Sequence, residues 1–111
     1  MPYFLSKLIP PRPTFVADMS GEERAVMIAH RDYWRPHVDI GLVVAMGPVA
    51  DPEGGYGVAI LDAASLEAVE ALQAEDPAIL SGLGFAYRNF VMPGLAARPS
   101  SPLAPVSSVT P

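Results

Sequence analysis

The sequence predicts a single ferredoxin-like α+β domain, in which two helices cover one face of a four-stranded sheet. Three observations carry this prediction. Apolar runs and amphipathic runs follow one another in the order β-α-β-β-α-β, which is the split βαβ arrangement. A turn rich in proline and glycine joins the two central strands, as in a hairpin. The length of 111 residues suits one hydrophobic core.

The first strand is predicted over residues 3–9, in the apolar run YFLSKLI. Pro10, Pro11 and Pro13 end this strand, because proline has no backbone N–H to donate to a neighbouring strand. Arg12 therefore lies in a loop that its proline neighbours make stiff.

The first helix begins at a capping box, in which Ser20 caps the amide of Glu23 and the Glu23 side chain returns to the amide of Ser20. Side chains at spacings of three and four residues then share one inward face. This stripe consists of Val26, Met27, His30, Tyr33, Trp34 and His37. We expect Pro36 to bend or end the helix and Gly41 to complete the turn that follows.

The second strand is predicted over residues 42–46 and leaves the sheet at Gly47-Pro48. The turn cluster at residues 51–55 and the apolar run over residues 56–61 predict its hairpin partner. Both strands are apolar at nearly every position, whereas a sheet face that meets water alternates with polar residues. We therefore expect a homodimer, in which the second face is buried against the same face of a twin subunit.

The second helix is capped by Ser65, and its inner face carries Leu66, Val69 and Leu72. Asp76 then caps a further short turn with Pro77 at its first position, where the missing N–H of proline costs nothing. The fourth strand is predicted over residues 85–92.

The folded domain is predicted to span residues 1–93, and a tail rich in proline and serine follows over residues 94–111. The tail shows no hydrophobic periodicity, and its composition is typical of extended chain without a packed core.

Composition and charge argue against several classes of protein. Hydrophobic residues make up 50% of the chain and charged residues 17%, which favours contact with another subunit. The net charge is −5 and the basic residues are scattered, so nucleic acid is not expected as a partner. No apolar run approaches the roughly 18 residues of a membrane span, and the N-terminal run is too short for a secretion signal. No cysteine is present for disulfides or thiolate catalysis. Because the sequence shows neither a membrane span nor a secretion signal, we expect a cytoplasmic protein.

His30 and Asp76 form the pair of residues that most suggests chemistry. A carboxylate on one imidazole nitrogen fixes the tautomer and leaves the other nitrogen free to take a proton, so the pair predicts general acid–base catalysis. Two plainer interpretations stay open. In the first, His30 is a core histidine bonded to a backbone carbonyl. In the second, Asp76 is a helix cap and nothing more.

Two further side chains are candidates for contact with a substrate. Arg12 is a candidate anchor for a substrate carboxylate, with a plain surface arginine as the alternative. Trp34 lies one turn beyond His30 and either belongs to the core or lines an aromatic site. A metal site on His30 and His37 is not expected, because two helical turns separate them and His37 should face solvent. No cofactor is expected, since no phosphate-binding glycine motif is present.

The ordered set of these features resembles the YCII-related (YciI-like) proteins of the dimeric α+β barrel group. The resemblance rests on the mid-helix His30, on Gly47-Pro48 after the second strand and on Asp76 before Pro77. It covers roughly residues 3–93 and implies a homodimer whose two sheets face each other. It also implies an active-site pair at His30 and Asp76. Gly47 is a further candidate for substrate contact. A dehydrochlorinase-type lyase belongs to this family, and muconolactone isomerase is similar in fold.

These observations predict a cofactor-independent lyase or isomerase that moves a proton on a small aromatic or lactone-like organic acid. His30 is the predicted base, Asp76 its orienting partner and Arg12 the anion anchor. The alternative is a non-catalytic module that binds a small molecule or assembles subunits on the same dimeric barrel. This alternative is favoured by the absence of a second acid near the pair, because elimination usually needs a proton donor as well.

Overall fold

A four-stranded antiparallel sheet with helices on one face makes up residues 2–99, the part of the chain that this computed structural model describes. The elements are β1 (Tyr3–Ile9), α1 (Phe15–Asp18), α2 (Gly21–Asp39), β2 (Val43–Val49), β3 (Tyr56–Asp62), α3 (Leu66–Ala74), α4 (Pro77–Leu80) and β4 (Ala86–Met92). The strand order is β2-β3-β1-β4, with every neighbouring pair antiparallel. The predicted ferredoxin-like α+β fold is therefore confirmed. None of the described helices has both the length and the apolarity needed to cross a bilayer.

Both predicted helix caps form as the sequence pattern indicates. Ser20 and Glu23 make the reciprocal bonds of a capping box at the start of α2. Ser65 accepts a hydrogen bond from the amide of Ala68 and so begins α3. Residues 15–18 form the short helix α1, which the sequence pattern does not indicate.

Of the two effects expected of Pro36, a bend or an end to the first helix, the second does not occur, because Pro36 lies inside α2. Pro36 and Asp32, the residue one turn before it, are both exposed, so water can replace the backbone bond that proline cannot make. Gly41 follows the helix with a φ of 85°, the left-handed conformation that glycine adopts readily. His37 is half-buried, with its ring 5.5 Å from that of Trp34, so the expectation that it faces solvent is wrong.

The second strand is longer than predicted, because Gly47 and Pro48 continue it to Val49. The sheet order places β2 at an edge, where a proline can leave its missing N–H on the unpaired side. Gly47-Pro48 is thus part of the strand and not its exit.

Two apolar clusters fill the space between the sheet and the helices. One contains Phe4, Trp34, Val43, Leu61, Ala63 and Val69, and the other contains Leu8, Phe15, Ala78 and Phe85. Four polar or charged residues are buried beside them, namely Ser6, Glu23, Gln73 and Asp76. Burying a polar group costs free energy unless the group has a hydrogen-bond partner. These four residues therefore mark the parts of the interior that contain more than apolar packing.

The opposite face of the sheet is uncovered in a single chain and carries apolar side chains next to the paired Lys7 and Arg88. On this face Leu5 of β1 lies between Ile60 of β3 and Phe90 of β4. Phe90 is 42% exposed. These apolar side chains on an uncovered sheet face are the observation behind the dimer proposed below.

The predicted division at residue 93 falls just after β4, and residues 94–99 form no helix or strand. The rest of the predicted tail, residues 100–111, lies outside the described residues.

Candidate active site

Asp76 is the centre of the buried polar groups, with an exposed fraction of 0%. It caps α4, since its Oδ1 accepts a hydrogen bond of 2.8 Å from the amide of Ala78. Pro77 fixes the first helical position after it, as the Asp-Pro sequence predicts. The cap uses one carboxylate oxygen and turns the other toward α2 and β4.

The second oxygen of Asp76 collects donors from two elements of the fold. His30 Nδ1 and Trp34 Nε1, one turn apart on α2, each lie 2.8 Å from Oδ2. The hydroxyl of Tyr87, on β4, donates a short hydrogen bond to the same oxygen. The structure thus brings His30, Asp76 and Trp34 together and adds Tyr87 to them.

The charge state of Asp76 decides which way the imidazole bond runs. Burial alone would raise the pKa of the Asp76 carboxyl, but the hydrogen bonds from His30, Tyr87 and Trp34 outweigh burial and hold that pKa below its ordinary value. At neutral pH the carboxylate is therefore ionised and can only accept. His30 Nδ1 must then be the donor, and in the neutral form of the imidazole Nε2 is the nitrogen that carries no hydrogen.

Tyr87 is the member of this site that the sequence analysis does not predict. Burial raises the pKa of the Tyr87 hydroxyl far above its ordinary value, and the nearby Asp76 carboxylate raises it further, so Tyr87 stays protonated. The period of two along β4 places Tyr87 on the same side as Phe85, which is buried. A tyrosine that points inward needs a hydrogen-bond partner for its hydroxyl. That requirement is the sequence signal from which Tyr87 could have been predicted.

A second polar cluster lies beside Tyr87 and joins three elements. Gln73 of α3 and Asn89 of β4 pair their side-chain amides through two hydrogen bonds of 2.8 Å. Ser6 of β1 donates to Asn89 and accepts from Gln73. Because each amide gives and takes a bond, the cluster is held in one arrangement.

Two cavities adjoin these groups. An inner cavity of about 20 Å³ is lined by Ser6, Trp34, Met46, Ala59, Leu61, Gln73 and Tyr87. An open cleft of about 260 Å³ between α3, α4 and β4 is lined by Glu70, Gln73, Ala74, Ile79, Tyr87 and Asn89. Gln73 and Tyr87 line both spaces, whereas His30 lines neither. The inner cavity is too small for a ring, since a cavity that holds benzene measures about 150 Å³.

Arg12 does not join this site, because its guanidinium is already engaged by two carboxylates. Nη1 and Nη2 bind the two carboxylate oxygens of Glu23 at 2.7 and 2.8 Å, and Nε binds Asp18 at 2.7 Å. The bidentate geometry ties the proline-rich loop to the first turn of α2. The positive charge of Arg12, which was expected to hold a substrate carboxylate, is therefore paired with Glu23 and Asp18.

This ion pair makes a prediction about acid stability. The hydrogen bonds from Arg12, and then that from the Ser20 amide, lower the pKa of Glu23 from 4.5 to about 2. A carboxyl with a lowered pKa stabilises the fold fully above its unfolded value and loses that stabilisation as pH falls toward 2. We expect Glu23→Gln to destabilise the protein at pH 7 and to differ progressively less from wild type as pH falls from 4.5 to 2. Urea unfolding across this range measures the difference, with the exposed Glu22→Gln as the control. A difference that does not change with pH would contradict the role of the pair.

The two remaining candidates lie on different sides of the sheet. Trp34 is 3% exposed and lines the inner cavity, so it belongs both to the core and to the site. Gly47 pairs with Val58 on the face away from the helices, since the preceding residue, Met46, lines the inner cavity. Gly47 thus lies on the face for which a second subunit is proposed and is not part of the His30–Asp76 cluster.

Comparison with known proteins places this chain in a family. The chain is similar to the solved structure of a 5-chloro-2-hydroxyhydroquinone dehydrochlorinase from Burkholderia phenoliruptrix AC1100 in complex with 2,5-dihydroxybenzoquinone. The two chains are 20% identical and superpose with a TM-score of 0.57 over 85% of this chain and 95% of that one, which shows a shared fold. No curated protein matches the chain significantly. Residues 4–92 match the YCII-related domain. This range contains both long helices and the whole sheet except Tyr3. The chain therefore belongs to the YCII-related domain family.

Proposed function

We propose that this protein is a cofactor-independent acid–base catalyst that removes a proton from carbon in a small organic molecule. The observation that carries the proposal is the 2.8 Å contact between His30 Nδ1 and Oδ2 of the fully buried Asp76. Such a carboxylate holds the ring in one orientation and stabilises the imidazolium that forms when the ring accepts a proton. His30 is the base, and Asp76 is its positioning residue.

The chemistry follows from the free nitrogen of His30. Nε2 takes a proton from a carbon next to an electron-withdrawing group, and the electron pair of the broken C–H bond moves toward that group. The resulting enolate either regains a proton at a second carbon, which is isomerisation, or expels a leaving group from the adjacent carbon, which is elimination. Neither outcome changes the oxidation level of the protein or needs an electron acceptor.

The comparisons support a small cyclic substrate for this reaction. The similar dehydrochlorinase acts, by its name, on a chlorinated hydroxyhydroquinone, and its structure contains a dihydroxybenzoquinone. An aromatic or lactone-like ring therefore remains the proposed substrate. Arg12 is bound to Glu23 and Asp18, so it is not proposed to bind an acid group of the substrate.

A screen of carbon acids tests the proposed reaction. The purified protein is incubated in deuterated buffer with cyclohexenone, a butenolide and a hydroxybenzoquinone, and loss of the C–H signals is followed by NMR. We expect faster exchange or elimination with at least one compound and a loss of about 10²–10⁴-fold in His30→Asn. The control His37→Asn changes the half-buried histidine of the same helix and should retain activity. Equal rates for wild type and His30→Asn with every compound would contradict the proposal.

The alternative function, a non-catalytic binding module, has its own observation. His30 lines neither of the two cavities, and the inner cavity is too small for a ring. A binding module predicts that a ring compound occupies the cleft without any C–H exchange. The same NMR samples therefore separate the two functions. A bound ligand shifts protein resonances whether the protein is a catalyst or a binding module, but the ligand exchanges hydrogen for deuterium only if the protein is a catalyst.

We also propose that the chain forms a homodimer through the uncovered sheet face. Leu5, Ile60 and Phe90 lie side by side on this face, and Phe90 is 42% exposed. Neighbouring apolar side chains on a sheet face are normally covered by another layer.

A charge placed on this face tests the dimer. We expect light scattering to give twice the chain mass for wild type and the single mass for Phe90→Glu. The matched control is Val91→Glu, because Val91 is 64% exposed on the helix side of the same strand. A wild-type protein of single mass, or a Phe90→Glu variant that stays dimeric, would contradict this interface.

A further inference from the structure

We infer that Tyr87 and Trp34 are positioning residues that act through the carboxylate of Asp76. Their hydrogen bonds limit how firmly this carboxylate holds a proton on His30, and neither residue is proposed to touch the substrate. The inference rests on the proposed function, because such a limit serves a base that must accept a proton and return it. It adds to that function an account of what sets the strength of the base.

The three side chains that donate to Asp76 meet at one oxygen atom. Oδ2 accepts hydrogen bonds of 2.8 Å from the ring N–H groups of His30 and Trp34. It also accepts a short hydrogen bond from the hydroxyl of Tyr87. A carboxylate oxygen offers about two lone-pair positions, so the three donors compete for its negative charge. The hydrogen bonds from Trp34 and Tyr87 therefore leave less of that charge for the imidazole.

Of these three donors, His30 is the one that changes its charge near neutral pH. The indole N–H of Trp34 is a donor that does not ionise. Burial raises the pKa of the Tyr87 hydroxyl far above its ordinary value, and the Asp76 carboxylate raises it further, so the hydroxyl keeps its hydrogen. Two of the donors are thus neutral and permanent, and they stabilise the ionised carboxylate whether or not the imidazole is protonated.

The burial of Asp76 makes this competition strong. The side chain of Asp76 is fully buried, whereas that of His30 is 15% exposed. A carboxylate without water around it attracts a neighbouring positive charge more strongly than a carboxylate in water does. With the imidazole as its one side-chain partner, such a carboxylate would stabilise imidazolium and keep the base protonated. The two neutral donors oppose this effect, which suits a base that works near neutral pH.

The other ionisable groups near the pair provide a control. The segments α4 and β2, which pack against α2, contain no ionisable side chain. Burial raises the pKa of the nearby Tyr33 hydroxyl, and the charges of Asp76 and Glu75 raise it further. This hydroxyl donates to the backbone carbonyl of Leu72 at 2.6 Å and not to the carboxylate. Tyr33 is therefore a matched control for Tyr87.

A pH titration of the His30 ring tests this inference and needs no substrate. The C–H resonances of the ring are followed by NMR in the wild-type protein and in Tyr87→Phe. We expect the pH midpoint of proton uptake to rise by about half to one pH unit in the variant, the equivalent of one hydrogen bond to the carboxylate. The control Tyr33→Phe should not move the midpoint. Trp34→Phe removes a different donor from the same oxygen and should move the midpoint upward as well.

The Asp76→Asn background shows whether Tyr87 acts through the carboxylate. In this background Tyr87→Phe should leave the midpoint of His30 unchanged, since the negative charge that the hydroxyl shares is gone. In the deuterium exchange assay with cyclohexenone, the pH at which activity falls toward acid should rise in Tyr87→Phe by the same amount as the NMR midpoint. A role of Tyr87 in packing alone would lower stability and leave both values in place. Circular dichroism checks that each variant is folded.

The outcomes separate this inference from the proposed function. An unchanged or lowered midpoint in Tyr87→Phe, an equal rise in Tyr33→Phe, or a rise that persists in the Asp76→Asn background would each overturn the inference. Exchange by the wild-type protein together with an unmoved midpoint would leave the proposed function intact. A raised midpoint without exchange of any carbon acid by the wild-type protein would support the control of the His30 proton and overturn the proposed function.

Discussion

Replacing Asp76 with alanine is expected to lower the free energy of unfolding by about 3–5 kcal/mol. Asp76 has an exposed fraction of 0%, so water cannot replace it. The substitution leaves the Ala78 amide and the donors of His30, Trp34 and Tyr87 without their shared acceptor. Each buried donor that loses its partner carries a desolvation cost of about 1–3 kcal/mol, part of which relaxation recovers. Urea unfolding at neutral pH measures the loss.

The control for this prediction is Asp39→Ala at the end of the same helix that carries His30. Asp39 is exposed, and its contact with Arg35 is an ion pair of 3.2 Å between residues four positions apart. Exposed pairs of this kind contribute about 0.5 kcal/mol or less. If Asp76→Ala were no more destabilising than Asp39→Ala, the four hydrogen bonds to Asp76 could not be as described.

The second large effect concerns turnover in Asp76→Asn. An asparagine keeps the shape of the side chain but loses the negative charge that orients the ring and stabilises imidazolium. We expect turnover of the best compound from the carbon-acid screen to fall about 10²–10⁴-fold. Turnover is compared at a temperature where circular dichroism shows the variant to be folded, since Asn at this position also weakens the network.

A double variant shows whether His30 and Asp76 act as one unit. If they do, the His30→Asn and Asp76→Asn double variant should be about as impaired as His30→Asn alone, because the carboxylate acts through the imidazole. Independent roles predict that the two losses multiply. Multiplied losses would show that Asp76 contributes to catalysis by another route, such as through Tyr87.

Much of the fold follows from local sequence signals. The strand Tyr3–Ile9 ends where prolines begin, and the helices start at Ser20 and Ser65 because each can cap the amide three residues later. Asp76 and Pro77 form a cap and first turn for the same local reason. Position on the inward stripe of α2 is likewise enough to single out His30. These features need only the residues within one or two turns.

The features that could not be predicted depend on contacts between distant segments. Tyr87 meets Asp76 only because β4 lies at the edge beside β1 and α4 packs near it. The partners of Arg12 depend on the path of its loop toward the first turn of α2. The continuation of β2 through Pro48 depends on its place at the opposite edge of the sheet. Register, loop path and edge position are global properties that no short window of sequence determines.

The tautomer of His30 tests the central claim most directly and needs no substrate. Heteronuclear NMR of the ring nitrogens, recorded at a pH where the ring is neutral, shows which nitrogen carries the proton. We expect the proton on Nδ1, facing the Asp76 carboxylate at 2.8 Å, with Nε2 bare and able to act as a base. In Asp76→Asn this preference should weaken. A proton found on Nε2 in the wild-type protein would contradict the proposed base, because the nitrogen assigned to accept the substrate proton would already hold one.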